Sequence, residues 1–165
     1  MTREIPLGVN GSSGMVALVD DSDYEMLMSF GKTWSYHKHK GYAFSHINGK
    51  KLSMHRALVN PSSGLEVDHI NGNQLDNRRC NLRACNHSEN AKNVGGNRKK
   101  AIAYKGVFET SRSRRNPYFS QIKNDGQLHY LGRFPTPEAA AAAYNEAAKR
   151  LHGEFARLNV IPQTT

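Results

Sequence analysis

Residues 95–100 read Gly-Gly-Asn-Arg-Lys-Lys, a flexible basic break that separates two stretches of different patterning. A chain of 165 residues fits one ordinary domain or two small ones, and this break favours two. It is therefore taken as the domain boundary.

Upstream of the break the chain reads as short strands and turns. The apolar run Met15-Val16-Ala17-Leu18-Val19 follows the turn formers Gly8, Asn10-Gly11 and Ser12-Ser13-Gly14. The patches 33–36 and 41–45 have the aromatic content of a β-ribbon, closed by Asn48-Gly49. A short helix fits 23–30, and a second fits 52–59, where Leu52, His55, Leu58 and Val59 stand at helical spacing before Asn60-Pro61. Then come a strand over 65–70, a loop rich in asparagine, a return strand over 81–85, and a helix from Ser88 to Val94 with Asn86 or His87 as its cap. The order is strand, loop, strand, helix.

Downstream, strands are expected over 104–110, 118–123 and 128–134, the last two joined at Asn124-Asp125-Gly126. Thr136-Pro137-Glu138 then opens a helix with an N-cap, a first-turn proline and an acid on the positive end of the dipole. That helix is expected to run to about Leu151 and stop at Gly153. Its inward stripe, Ala140, Tyr144, Ala147, Ala148 and Leu151, is mostly alanine, so it can lie close on a three-stranded sheet. The fold class expected is α+β.

Lys and Arg number 23 against 14 Asp and Glu, a net charge of +9, which favours a polyanionic partner over an acidic small molecule. The excess is concentrated: from Lys92 to Arg115 eight basic residues face the single acid Glu109. No apolar run approaches the ~18 residues of a membrane span and no secretory pattern opens the chain, so a cytoplasmic location is expected. Cys80 and Cys85 do not have the paired spacing of a zinc site and are expected to be reduced thiols.

Three segments carry the chemistry: Val67-Asp68-His69-Ile70-Asn71-Gly72-Asn73, Asp76-Asn77-Arg78-Arg79-Cys80-Asn81-Leu82-Arg83, and Ser88-Glu89-Asn90-Ala91-Lys92-Asn93. Together they closely resemble the HNH homing endonucleases of phages, over about residues 55–93. The resemblance implies a ββα-metal finger and phosphodiester hydrolysis. It assigns Asp68 and Asn90 as metal ligands, His69 as the base and Asn81 as the residue that pins the loop to the return strand.

Those residue types suit the task. A water must be activated near neutral pH, which matches the free histidine pKa of about 6.5. Carboxylate and amide oxygens suit Mg²⁺ or Mn²⁺, which can stabilise charge at the scissile phosphate. Adjacent strand residues face opposite ways, however, so the strand is expected to end, twist or bulge at Asp68-His69. His87 is read as a cap before a possible extra ligand, and His55 as packing against the finger before a chemical role.

The stretches Tyr104-Lys105-Gly106-Val107, 118–123, Tyr130-Leu131-Gly132-Arg133-Phe134, 139–145 and Leu158-Asn159 resemble the plant Apetala/ethylene-response-factor DNA-binding domain, over residues 104–159. The resemblance implies that the sheet face opposite the helix enters the DNA major groove. Alternation turns Tyr118 and Ile122 toward the helix and Phe119, Gln121 and Lys123 outward, with Leu131 inward and Leu128 and Tyr130 outward on the next strand. Lys105, Thr110, Arg112, Arg114 and Arg115 complete the expected DNA-facing set. Where the plant domains carry arginine or tryptophan this chain has Phe108, Thr110, Leu128 and Tyr130, so the plant target does not transfer.

The expected organisation is a β-rich support over 1–54, a nuclease module over 55–94, a linker over 95–103 and a DNA-binding domain over 104–160. Double-stranded DNA is the expected partner, with neither a membrane nor a small-molecule substrate. A monomer is expected, a β-mediated homodimer through residues 1–50 being the alternative. The competing function is a non-catalytic DNA-binding regulator, which leaves Asp68, His69, Asn81 and Asn90 without a task.

Overall fold

The structure, a computed structural model, describes residues 1–8, 11–30, 33–95, 102–111 and 114–162. Helices and several small antiparallel sheets make a mixed α+β fold. The chain divides into two compact units, Met1–His87 and Ser88–Thr165. Most of the expected linker, residues 96–101, lies outside the described residues.

In the first unit, β1 (Thr2–Pro6) pairs antiparallel with β2 (Val16–Asp20), and α1 (Asp21–Phe30) follows at once. The apolar run thus supplies Val16 to Val19 of β2, whose alternation buries Ala17 and Val19. The short β3 (Ser35–Tyr36), β4 (Ala43–Ile47) and β5 (Lys50–Ser53) form a second sheet in that order. Asn48 and Gly49 turn β4 into β5 with φ of 50° and 75°, the left-handed pair that a two-residue hairpin turn requires.

Helix α2 (Met54–Val59) is shorter than the sequence suggests, because Leu52 and Ser53 are spent on β5. Helical spacing from Leu52 onward cannot distinguish a strand-to-helix junction from a longer helix. Asn60 ends it in the left-handed region (φ 46°), its backbone N–H donating to the Arg56 carbonyl. The last elements of this unit are the hairpin strands β6 (Glu66–His69) and β7 (Leu82–Cys85), in unbroken register from Glu66↔Cys85 to His69↔Leu82.

One core holds the unit together. Ile5, Leu7, Ala17 and Val19 meet Leu27, Trp34, Ala43, Met54, Leu58 and Leu82 there. Trp34, almost fully buried, donates its indole N–H to the Leu27 carbonyl at 3.0 Å, so its one polar atom is satisfied. The loop between β6 and β7 is sewn onto β2. Leu18 N donates to Leu75 O at 2.8 Å and Asn77 N to Leu18 O at 2.7 Å, around a parallel bridge of Leu18 with Asp76. Arg79 continues the seam, its backbone N bonding Asp20 Oδ2 at 2.8 Å and its guanidinium gripping the buried Asp23 carboxylate at two points of 2.8 Å.

The second unit holds all of helix α3 (His87–Asn93) beyond its first residue, then β8 (Val107–Glu109), β9 (Tyr118–Asn124), β10 (Gln127–Phe134) and α4 (Pro137–His152). The sheet order is β10-β9-β8, all antiparallel. Strand β8 is shorter than the expected 104–110, because Tyr104 to Gly106 form a turn before it. Gly106 has φ +73°, and a Cβ there would lie 2.1 Å from the Tyr144 ring, so only glycine fits.

Helix α4 begins as its sequence directs, Thr136 Oγ1 accepting from Ala139 N at 3.1 Å. Its buried Ala140, Ala141, Tyr144, Ala147 and Ala148 pack with Val107 and Ile122, and Tyr118, Leu131, Phe134 and Leu151 close the edges. A clamp of amides fastens the C-terminal segment. Asn159 bonds the backbone of Lys105 in both directions (2.6 and 3.0 Å) and exchanges two bonds with Asn145 (2.7 and 2.9 Å).

Candidate active site

Strand β6 ends at His69, and this resolves the problem of two neighbouring functional residues on one strand. No bulge is needed. Asp68 and His69 are both buried, yet they meet different partners. Asp68 lies opposite Arg83 in the hairpin register and accepts from its Nε and Nη2 at 2.9 and 2.7 Å, all through Oδ2. With little of either side chain exposed, this is a charge pair shielded from water.

His69 Nε2 lies 3.3 Å from the Oδ1 of Asn77, a residue with no exposed surface. In the tautomer that donates this bond, Nδ1 is the basic nitrogen of the ring. Burial lowers the pKa of His69, outweighing the Asn77 bond and the carboxylates of Asp68 and Asp76, which raise it. The imidazole is accordingly neutral at neutral pH.

The loop that carries the ring past the strand end is built from side-chain-to-backbone bonds. Asn81 Oδ1 accepts from Asn71 N at 2.9 Å, while its Nδ2 donates to the Asp76 carbonyl at 2.7 Å. Asn71 Nδ2 reaches Asp76 Oδ2 at 2.8 Å, and Arg78 grips the same carboxylate at 2.7 and 2.6 Å. The Arg78 guanidinium holds the Asp76 carboxyl below its ordinary range. Asn81 therefore spans the loop from its first residues to its last.

His55, on α2, stands edge-on to His69 with ring centroids 5.2 Å apart. Burial, then the neighbouring His69 and Arg56, push its pKa down to about 4, and its Nδ1 is buried with no hydrogen-bond partner among the described residues. The packing role read for His55 thus includes direct contact with the proposed base. His87, the first residue of α3, is largely exposed and pairs through Nδ1 with Glu66 Oε1 at 3.0 Å. Asn90 is a half-buried residue of α3, in the second unit. Among the described residues no three His, Cys, Asp or Glu side chains are placed to hold a metal ion together. Neither Cys80, which is exposed, nor Cys85, which is buried, is in a disulfide.

Sequence reasoning missed Arg83 and Asn77. Arg83 was accessible from the hairpin register, which sets it across from Asp68. Asn77 had no local signal.

In the second unit, the sheet face away from α4 carries Phe108 stacked on Phe119 (centroids 5.3 Å apart, planes at 20°) and Tyr130 beyond it at 6.4 Å. Tyr130 and Leu128 are 61% and 62% exposed, and Lys123 is exposed beside them. Gln121 lies opposite Tyr130 in the register, and Arg133, which sequence reasoning left out, opposite Phe119. Thr110, Phe119, Tyr130 and Arg133 share one shallow depression. Arg114 and Arg115 are exposed, whereas Arg112 lies outside the described residues.

Lys105 departs from the expected DNA-facing set. Its Nζ donates to the Lys92 carbonyl at 2.5 Å, and burial pushes its pKa down to about 8. It precedes β8, so strand alternation does not govern where it points.

Residues 60–92 match the HNH endonuclease family model. The matched HNH segment contains Asp68, His69, Asn81 and Asn90. The chain is also 35% identical over 127 residues to an uncharacterized HNH endonuclease of Acanthamoeba polyphaga mimivirus, an alignment covering 73% of this chain and 64% of that protein. The chain thus spans less than two thirds of that relative. Dehydration-responsive element-binding protein 2A of Arabidopsis thaliana is 56% identical over 36 residues, 22% of this chain and 11% of that protein. The protein of that name from Oryza sativa is 36% identical over 73 residues, 43% of this chain and 26% of its own length. No solved structure matches.

Proposed function

We propose that the protein is a divalent-metal-dependent DNA endonuclease that hydrolyses phosphodiester bonds at a preferred duplex site. The observation that carries this reading is His69: a neutral imidazole, buried at a strand end, held by Asn77 and lying inside the HNH segment. His69 takes the proton of the attacking water as its oxygen bonds to phosphorus and the bond to the 3′ oxygen breaks. The match of the HNH segment supports the same roles read from the sequence pattern.

Asp68 and, by that pattern, Asn90 are the proposed oxygen ligands of Mg²⁺ or Mn²⁺. The donor chemistry fits a hard cation that keeps most of its waters. Such a cation supplies charge stabilisation at the phosphate and at the departing oxygen. Arg83 fixes the Asp68 carboxylate in place, and Asn81 fixes the loop that presents His69.

The second unit is proposed to select the DNA through its outward sheet face, with Phe119, Gln121, Lys123, Tyr130 and Thr110 near bases and Arg112, Arg114 and Arg115 on phosphates. The partial likeness to plant element-binding proteins supports this. Homing-type action with one nick per engagement belongs to the same proposal.

The test is His69→Ala. Cleavage in Mg²⁺ should fall ~10²–10⁴-fold while duplex affinity stays near that of the parent, because the base acts only in the transition state. A variant that cuts at the parental rate overturns the assignment. The regulator reading, which an Asp68 already engaged by Arg83 would suit, predicts that parent and variant alike leave DNA intact.

A further inference from the structure

From Met26 to Leu65 the chain contains no Asp or Glu, while Lys32, Lys38, Lys40, Lys50, Lys51 and Arg56 give it six full positive charges. Much of this segment is the three-stranded β3–β4–β5 ribbon. Its core-side residues, Ala43 and Ser45, are buried, so alternation leaves Phe44 and His46 on the other face. Lys51 lies across from His46 in the register and shares its face, whereas Lys50, across from Ile47, is an exposed residue at the tip of the hairpin, next to the Asn48-Gly49 turn. Lys38, His39, Lys40, His46, Lys50 and Lys51 are all exposed.

Beneath Lys51 runs a ladder of rings. His46 meets Phe44 (centroids 5.5 Å apart), Phe44 meets His37 (5.7 Å), and His37 meets Tyr42 (5.3 Å). Tyr42 then meets His55 (5.3 Å), and His55 meets His69 (5.2 Å). The Lys51 ammonium sits over this ladder, 4.1 Å from the Phe44 centroid and 5.4 Å from that of Tyr42. A lysine held over a ring loses less freedom on meeting a phosphate than one swinging in water. One end of the ladder is thus an exposed cationic surface and the other is the proposed base.

We infer that the β3–β5 ribbon is a second DNA-binding surface, belonging to the first unit itself, and that Lys50 and Lys51 hold backbone phosphates of the duplex whose strand is delivered to His69. Charge complementarity selects the partner. An acid-free, lysine-studded ribbon suits a polyanion, and the ring ladder ties it physically to the candidate site. The inference rests on the nuclease reading for its purpose but not for its measurement.

The full-length protein is titrated with a cleavable duplex in EDTA across a range of NaCl concentrations, and cleavage kinetics are measured separately in Mg²⁺. The variants are Lys50→Ala/Lys51→Ala, the charge-keeping Lys50→Arg/Lys51→Arg, and Arg114→Ala/Arg115→Ala for comparison. Each lost phosphate contact lowers the log–log salt slope by about 0.9, so the alanine pair should lower it by about 2. KM should rise with kcat within about twofold, and the arginine pair should restore both the slope and KM. An unchanged slope in the alanine pair overturns the inference, as does loss of kcat at parental KM. A parent that binds in EDTA but cuts nothing in Mg²⁺ defeats the nuclease reading instead, and the slope still decides for or against the ribbon.

Discussion

At the scale of single residues, Arg83 has the most direct consequence for the proposed chemistry. It binds Asp68 twice through one oxygen, so it orients the proposed ligand while competing electrostatically with any cation there. Partners of this kind typically set metal affinity by ~10–100-fold. For Arg83→Ala we expect the Mg²⁺ concentration for half-maximal cleavage to rise by about that factor, partly recoverable at high metal. A metal titration of the cleavage rate checks it, and a lower requirement would show that competition outweighs orientation. His55 leads to a different test. Its folded pKa of about 4 lies below the value of about 6.5 expected unfolded, so the unfolded chain takes up the proton first as pH falls. His55 thus makes no pH-dependent demand above about 6.5 and costs stability progressively down to about pH 4, by at most about 3 kcal/mol. Urea midpoints between pH 7 and 4 should fall more steeply for the parent than for His55→Gln. Both residues also show what was legible in the sequence. Asp68 and His69 stood out because a spaced pattern names them, whereas the ring-to-ring approach of His55 and the bond that His69 makes to Asn77 depend on tertiary packing that no local spacing encodes.

At the scale of elements, the parts read correctly were those with their own punctuation. Asn124-Asp125-Gly126 turns β9 into β10 with φ of 48° at Asp125 and 84° at Gly126, and Thr136-Pro137 starts α4 at the expected residue. The misread boundaries lack it. Leu52-Ser53 passes from strand to helix with no breaker between, and at Tyr104 to Gly106 a lone glycine running straight into Val107-Phe108 does not by itself separate a turn from a strand start. Gly106 makes the second case testable. Gly106→Ala places a methyl group against the Tyr144 ring and the Gln121 carbonyl at a left-handed φ. The second unit should lose at least about 2 kcal/mol, read as a lower denaturation midpoint for that unit. A neutral result would mean that Tyr144 can move aside without loss.

For the whole molecule, the proposed chemistry rests on one His69 and one Asp68 per chain, and one such set cuts one strand at a time. A supercoiled plasmid bearing a single site should therefore appear first as open circles, from a protein that sediments as a monomer. Chelation should stop that conversion and Mn²⁺ or Mg²⁺ restore it. Direct linearisation by a stable dimer would overturn the nicking proposal and leave the nuclease reading standing. The seam between the β6–β7 loop and β2 bears on how far the nuclease segment can travel. Leu18 and Asp23 belong to β2 and α1, yet they anchor the backbone on both sides of Asp76 and the side chain of Arg79. Residues 60–92 excised as a cassette would lose those anchors and the strand that shapes the loop. The smallest portable piece for grafting or domain exchange accordingly begins at β1, and a chimera joined anywhere between α1 and β6 would have to carry its own substitute for that strand.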